Sequence, residues 1–295
     1  MKKPKRLRQA IGTDPNNFNK SQIKIYAYVI PIALFTALPI IMIILNAFKP
    51  LSELNAYPPR FYVVNPTLEH FRRLFHIASN TSFPAMRYLF NSFIYTLPSV
   101  ALSILFSLTA AYCLSKKQFK MKKVIMTVNM LALMFVPVAV SIPRYFVVVY
   151  SGIHNTYLAG ILPGLAMPVG LFLVKQFMDQ IPDALIEAAQ IDGASDYFII
   201  RGVIAPMVMP ALATVGILAF QGSWNNLEAS QLYIDNESIK NFAFYMSTLA
   251  VGTGNTLAGQ GVSAVATLIM FIPNMLLFIV LQSRVMNTMA HSGIK

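Results

Sequence analysis

Six continuous apolar runs dominate the chain, approximately Ile25 to Ala47, Leu89 to Leu114, Val124 to Val149, Tyr157 to Val174, Val203 to Gly222 and Ser263 to Leu281. A helix that crosses a hydrocarbon layer about 30 Å thick needs about 20 mainly apolar residues, because it rises roughly 1.5 Å per residue. The runs have that length and show no alternation of apolar and polar residues, which disfavours a barrel. The fold class predicted is therefore all-α and integral to a membrane, with six transmembrane helices. Of the 295 residues, 56% are hydrophobic and 12% charged, against roughly 25% charged in an average soluble domain. With a mean hydropathy of +0.58, too little polar surface exists to cover a water-facing globule, and the excess apolar side chains need lipid.

The first run follows Lys2, Lys3, Lys5, Arg6 and Arg8 as a signal peptide would. It is too long for an h-region and lacks a convincing small-residue cleavage site, so it reads as a retained helix after an exposed tail, residues 1–24. The net charge of +12 does not mark a nucleic-acid binder, because the basic residues sit at the edges of the apolar runs. Lys116, Lys117, Lys120, Lys122 and Lys123 crowd the loop between the second and third runs. That loop and the basic tail belong in the cytoplasm by the positive-inside rule, and six spans return both termini there. The same alternation places the loop from Lys175 to Gly202 inside. It is acidic, with Asp179, Asp183, Glu187, Asp192 and Asp196, which suggests a use beyond setting topology.

Several chemistries are excluded or disfavoured. The six runs contain no Asp or Glu, whereas ion-coupled carriers commonly keep a carboxylate inside the membrane. No Gly-Lys-Ser/Thr phosphate loop occurs, so the chain does not hydrolyse ATP by that route. His70, His76, His154 and His291 lack ligand spacing, and no metal site is expected. The single cysteine, Cys113, lies in an apolar run and rules out an internal disulfide framework.

The segment Ile181 to Pro210 reads IPDALIEAAQIDGASDYFIIRGVIAPMVMP. Pro182 suits a helix start and Asp183 complements the positive helix end. Leu185, Ile186 and Ala189 make an apolar face. Gly193 can take the left-handed conformation that stops a helix, and Ser195 can cap the next. The pattern predicts a helix, a sharp turn and a second helix, a rigid knob suited to transmitting force.

Here the sequence resembles the permease subunits of binding-protein-dependent ABC importers. Their cytoplasmic signature is Glu-Ala-Ala, three residues, Gly, nine residues, Ile, one residue, Leu-Pro. This chain supplies Glu187, Ala188, Ala189, Gly193 and Pro206, with Val203 for Ile and Ala205 for Leu. The resemblance implies that Glu187, Ala188, Ala189, Asp192, Gly193 and Ala194 form a coupling helix seated in a cleft of an ATPase. It covers nearly the whole chain and narrows to the carbohydrate branch through Asn91-Ser92, Asn155-Thr156-Tyr157 and Gln221-Gly222-Ser223-Trp224-Asn225-Asn226. Pro58-Pro59-Arg60-Phe61 and a loop near Ser79 to Arg87 are similar to permeases for complex oligosaccharides. One departure is the tail, TMAHSGIK from Thr288 to Lys295, where the family often ends in a Gly-rich turn with Gly-Ala-Val-Lys.

The organisation implied is a tail at 1–24, a first helix and outer loop at 25–88, an importer transmembrane domain at 89–285 with its coupling loop at 179–202, and a cytoplasmic tail at 286–295. The subunit pairs with a homologous permease as a heterodimer in a bacterial inner membrane. Two ATPase subunits carry ATP and Mg, and an extracytoplasmic solute-binding protein delivers sugar; this chain itself binds no cofactor. An importer of the same fold for amino acids or peptides, or an ion-coupled carrier, are the alternatives.

Residues along the substrate pathway are less sharply marked. Arg144 is the only charge well inside a run, and snorkelling to the headgroups competes with contact to a sugar acid. Asn129, Gln221, Trp224 and Asn274 offer hydrogen bonds and ring stacking to a sugar, and interhelical bonding with an interfacial Trp accounts for them equally well. Pro137, Pro143, Pro163, Pro168 and Pro273 mark candidate breaks or kinks. Leu68, Phe71, Leu74 and Phe75 lie at helical spacing, as for a helix on the outer membrane surface.

Overall fold

The computed structural model describes residues 23–292 apart from 55, 59, 81–82 and 253–256. The basic residues of the tail up to Lys20 and the last residues, 293–295, lie outside the described set. Among the described residues the chain is all helical. Its principal helices are α1 (Ile23–Phe48), α2 (Glu69–Asn80), α3 (Ala85–Lys116), α4 (Lys122–Met134) and α5 (Ser141–Tyr150). There follow α6 (Tyr157–Leu165), α7 (Pro168–Met178) and α8 (Asp183–Ile191), then α9 (Asp196–Met207), α10 (Met209–Trp224), α11 (Leu227–Leu232), α12 (Phe242–Gly252) and α13 (Leu257–Ser292).

Three helices, α1, α3 and α13, are long and apolar enough to cross a membrane unaided, and three bent pairs bring the number to six. The third, fourth and fifth predicted runs are therefore not straight. The third breaks by 113° between α4 and Pro137–Tyr150, the fourth by 42° between α6 and α7, and the fifth by 86° between α9 and α10. Two breaks fall where a proline starts the next segment, Pro137 and Pro168, because the ring removes an amide and clashes with the preceding turn. Pro163 and Pro273 instead lie inside continuous helices, and Pro143 sits in the first turn of α5. The fifth break falls at Val208, so residues 203–207 belong to the inner arm, and the helical path runs on past Gly222 to Leu232.

α3 is the post around which the bundle is assembled, packing on α6, α7, α10 and α12. Its buried face carries Ser92, Thr96, Ser99, Ser103, Ser107 and Ala111, spaced three or four apart and all small. Such a stripe lets neighbouring backbones approach where lipid offers no hydrophobic drive for helix association. α1 rests along α13 and buries only Ala47 fully; Ile43 and Phe48 near its end pack on the core, while most of its other Ile, Leu and Phe side chains stay exposed, as an apolar face for lipid must be.

The two ends of the bundle are told apart by hydrogen bonds between loops. At one end Asn155 Oδ1 accepts from the amides of Asp235 and Asn236 at 3.1 and 2.8 Å, and Asn91 Nδ2 donates to the carbonyls of Ser238 and Lys240 at 2.9 and 2.8 Å. At the other end the Lys116 to Lys123 loop meets residues 179–196. The lysine-rich loop and the acidic loop thus share one face, as alternating spans require. α2 is helical where the spacing of Leu68 to Phe75 predicts it, but it does not merely lie on a surface. His70 and Leu74 are fully buried, with His70 Nε2 2.8 Å from the Lys49 carbonyl.

Candidate functional site

α8 and α9 meet in a tight elbow. Gly193 has φ +79°, a region that non-glycine residues enter at a cost. The Ala194 amide donates to the Ala189 carbonyl at 2.9 Å and the Gly193 amide to Gln190 at 3.0 Å. This double closure satisfies carbonyls that the last helical turn leaves open. Ser195 then accepts from the Phe198 amide and starts the second helix.

The face that holds α8 to the bundle differs from the expected one. Ile186 is buried and Ala189 and Ala194 pack on the same core as Leu108, Met178, Ile199 and Val208, but Leu185 points out and is 44% exposed. Spaced three residues apart on the opposite side of the helix, Leu185, Ala188 and Ile191 make an outward apolar strip, with Ile191 86% exposed.

The carboxylates of the acidic loop divide into two sets. Asp179 accepts from Ser115 Oγ at 2.6 Å and pairs with Lys175 at 2.6 Å. Asp183 pairs with Lys116 at 2.7 Å. Asp196 accepts from Tyr112 Oη at 2.8 Å and pairs with Lys117 Nζ at 2.7 Å. These three clamp the elbow to the inner end of α3 and the end of α7. Burial pulls the Asp179 carboxyl upward, but hydrogen bonds from Lys175 and Ser115 outweigh it and hold the group below the usual carboxylate range. Hydrogen bonds from Lys117 and Tyr112 hold Asp196 low as well, and its partner Lys117 is raised by the same bond. Glu187 and Asp192 are exposed and make no ion pair among the described residues.

The residues singled out along the pathway do not converge on one place. Asn129 is buried and donates to the Pro168 carbonyl at 3.3 Å, covering the break between α6 and α7. Trp224 is fully buried, stacked on Phe220 at 5.6 Å, with its indole N–H donating to the Met270 carbonyl at 3.1 Å. Asn274 donates to that same carbonyl at 3.0 Å. Gln221 is exposed, and its carbonyl accepts from Asn225.

Arg144 does have a partner that the sequence reading missed: Nη1 lies 3.4 Å from Glu228 Oε2. Glu228 stands in α11, six residues beyond the predicted end of the fifth run, so a carboxylate is present on the helical path after all. Tyr233 Oη donates to its other oxygen at 3.0 Å. The three border a cavity of about 320 Å³ that is also lined by Ser99, Ser103 and Ser223. A sequence search for charges inside apolar runs finds Arg144 but not small hydroxyls, which pass as ordinary helix-packing residues.

Broken spans around a small-residue post, with an elbow bonded to one end of that post, define a polytopic membrane subunit. Among the described residues no group of histidine, cysteine or acidic side chains is placed to hold a metal. Residues 78–285 match the family described as the inner membrane component of binding-protein-dependent transport systems, and the chain belongs to it. It is the multi-pass, non-catalytic permease component of an ABC importer.

Relatives in sequence include the sulfoquinovosyl glycerol transport system permease protein SmoH of Agrobacterium fabrum, 28% identical over 87% of this chain and 88% of its own length. The arabinooligosaccharides transport system permease protein AraQ of Halalkalibacterium halodurans is 29% identical over 84% and 88%. Among solved structures, a chain of a bacterial ABC transporter that imports the acidic polysaccharide alginate superposes with a TM-score of 0.76, covering 90% of this chain and 98% of that one at 22% identity.

Proposed function

We propose that the chain is one permease of a heterodimer that imports sugar, most suitably oligosaccharide, by alternating access. An extracytoplasmic binding protein delivers the sugar, and two ATPase subunits binding ATP and Mg drive the cycle from the cytoplasm, where both termini also lie. The named sugar and oligosaccharide transport systems of the relatives support this substrate class.

The observation that carries the mechanical part is the division of carboxylates. Asp179, Asp183 and Asp196 are consumed in fixing the elbow. Glu187 and Asp192 flank an outward apolar strip of Leu185, Ala188 and Ile191. An apolar strip bordered by unpaired charge is what a docking knob needs: burial supplies adhesion and the charges supply orientation. The elbow transmits closure of the ATPases because its root is bonded to α3. Residues Glu187 to Ala194 are the coupling element in this reading.

The test is Glu187→Lys in the four-part complex reconstituted in liposomes. ATPase copurification and sugar uptake should both fall while the permease pair still assembles. Uptake and copurification at wild-type levels would refute the docking role.

A further inference from the structure

We propose that the lysine-rich start of α4 and the apolar groove beside it form a binding site for one anionic phospholipid of the inner leaflet. The proposal rests on the membrane orientation of the reading above, with this loop in the cytoplasm, and it names a partner outside the import machinery.

The first argument is charge left unspent. Lys116 and Lys117 are paired with Asp183 and Asp196. Lys122 Nζ donates to the Ser115 and Lys117 carbonyls at 3.2 and 3.3 Å, which leaves its charge uncompensated. Lys120 and Lys123 are exposed, and neither ammonium has an ion-pair or hydrogen-bond partner among the described residues. Topology alone requires lysines on this face; it does not require exposed apolar side chains among them. Phe119 and Met121 stand between the lysines and are exposed. Such a mixture suits a layer of anionic headgroups, which the charges attract and the apolar side chains enter.

The second argument is the groove. α4 packs chiefly on α7, and between it and α3 lies a space of about 480 Å³. Phe106 and Ala110 of α3, Leu162 and Leu165 of α6 and Leu171 of α7 line it, and its polar side chains are Ser107 and Asn129. The Asn129 amide is already committed to the Pro168 carbonyl. Phe106 and Leu162 are 49% and 42% exposed, so the groove is open at its side. Left empty, it forfeits the dispersion contacts of its walls, and the solvent at this depth of a membrane is hydrocarbon.

The third argument is the register between the two. Ala110 and Phe106 stand six and ten residues before Lys116, about 9 and 15 Å along the helix. Asn129 stands six residues after Lys123, again about 9 Å. One leaflet of hydrocarbon is about 15 Å deep. A headgroup held by Lys120 and Lys123 therefore lays its own acyl chain beside the groove. An apolar helix of a partner subunit would fill the groove but leave the lysines unmatched, whereas a single molecule with an anionic head and an apolar tail satisfies both.

The test uses the complete importer in phosphatidylcholine nanodiscs that carry, in separate samples, phosphatidylglycerol or phosphatidylcholine with a diazirine on the acyl chain. After illumination the phosphatidylglycerol chain should modify peptides containing Phe106 to Ala110 or Leu162 to Leu171 about fivefold more than the phosphatidylcholine chain, or better. Each lysine near an anionic surface favours binding by about fivefold, so Lys120→Gln/Lys123→Gln should lower the phosphatidylglycerol signal by about tenfold or more and leave the other unchanged. Ala110→Leu, which narrows the groove, should lower that signal with the lysines in place; if it does not assemble, the lysine pair decides. Equal modification by both lipids, or a signal indifferent to the lysine pair, overturns the anionic headgroup. No modification of the groove by either lipid, as when the second permease covers it, overturns the site. Orientation is read separately from Lys120→Cys in a Cys113→Ser background, treated in spheroplasts with a membrane-impermeant maleimide. Labelling from outside overturns the cytoplasmic placement of the loop and the leaflet with it. A shielded thiol with no lipid signal overturns the lipid site alone and leaves the orientation standing.

Discussion

The turn at Gly193 allows a graded prediction, because backbone geometry is separable there from packing. Its φ is +79°, and a Cβ would meet nothing within 4 Å. Any penalty for a side chain is therefore conformational. An L-residue forced into the left-handed region loses about 1–2 kcal/mol, more when bulky or β-branched, whereas Asn is accommodated through its short polar side chain. Gly193→Asn should then behave nearly as the wild type. Gly193→Ala, at about 1 kcal/mol, should raise the open fraction of the elbow about fivefold, and Gly193→Val, at about 2 kcal/mol, about thirtyfold, since 1.36 kcal/mol is a factor of ten. The reporters are the Gly193 and Ala194 amides, bonded to the Gln190 and Ala189 carbonyls. Hydrogen exchange of the peptide covering residues 188–196 should accelerate in the order Val, Ala, Asn. Uptake per ATP hydrolysed should decline in the same order. Equal exchange by Gly and Val, or an Asn variant as damaged as Val, would refute the claim that the left-handed turn holds the elbow.

Other predictions follow from neighbouring contacts. Asp179 and Asp196 have depressed folded-state pKa values, so their stabilisation is complete above the unfolded value and lost as pH falls through the folded one. Thermal stability of the detergent-solubilised chain should fall below about pH 4, and Asp179→Asn/Asp196→Asn should flatten that dependence; an identical pH profile would count against the clamp. A Cβ on Gly261 would collide with the His70 ring, so Gly261→Ala should destabilise by about 1–3 kcal/mol through overpacking, and a second change, His70→Ala, should relieve part of it in a double-mutant cycle. Trp224→Phe removes one donor from the Met270 carbonyl, which keeps Asn274. It should lower stability by about 0.5–1.5 kcal/mol with uptake within twofold; a selective loss of uptake would restore a sugar-stacking role for the ring.

The elements that depend on local chemistry were legible in the sequence. The apolar runs follow from the length rule, the elbow from Gly193 and Ser195, and two of three breaks from Pro137 and Pro168. The break at Val208 was not, because Pro206 and Pro210 flank it and neither hydropathy nor helical period chooses between them. Glu228 escaped because the fifth run was closed at Gly222, where the apolar character fades, while the helical path continues to Leu232. The pairings of Asp196 with Lys117 and Arg144 with Glu228 join residues 79 and 84 apart. No periodicity spans such a separation. Ser99 and Ser103 belong to a stripe that spacing reveals as an interface, but only the fold distinguishes a hydroxyl facing a helix from one facing a void.

α3 is a single helix of 32 residues, about 48 Å from end to end. Its outer turns grip the 237–240 loop through Arg87, Tyr88, Asn91 and Tyr95, and its inner end grips the elbow through Tyr112, Ser115, Lys116 and the adjoining Lys117. A tilt at one tip of a helix bonded at both is felt at the other. The two ends of the bundle are thereby tied to one continuous helix, with Pro98 inside it as the point at which it can bend.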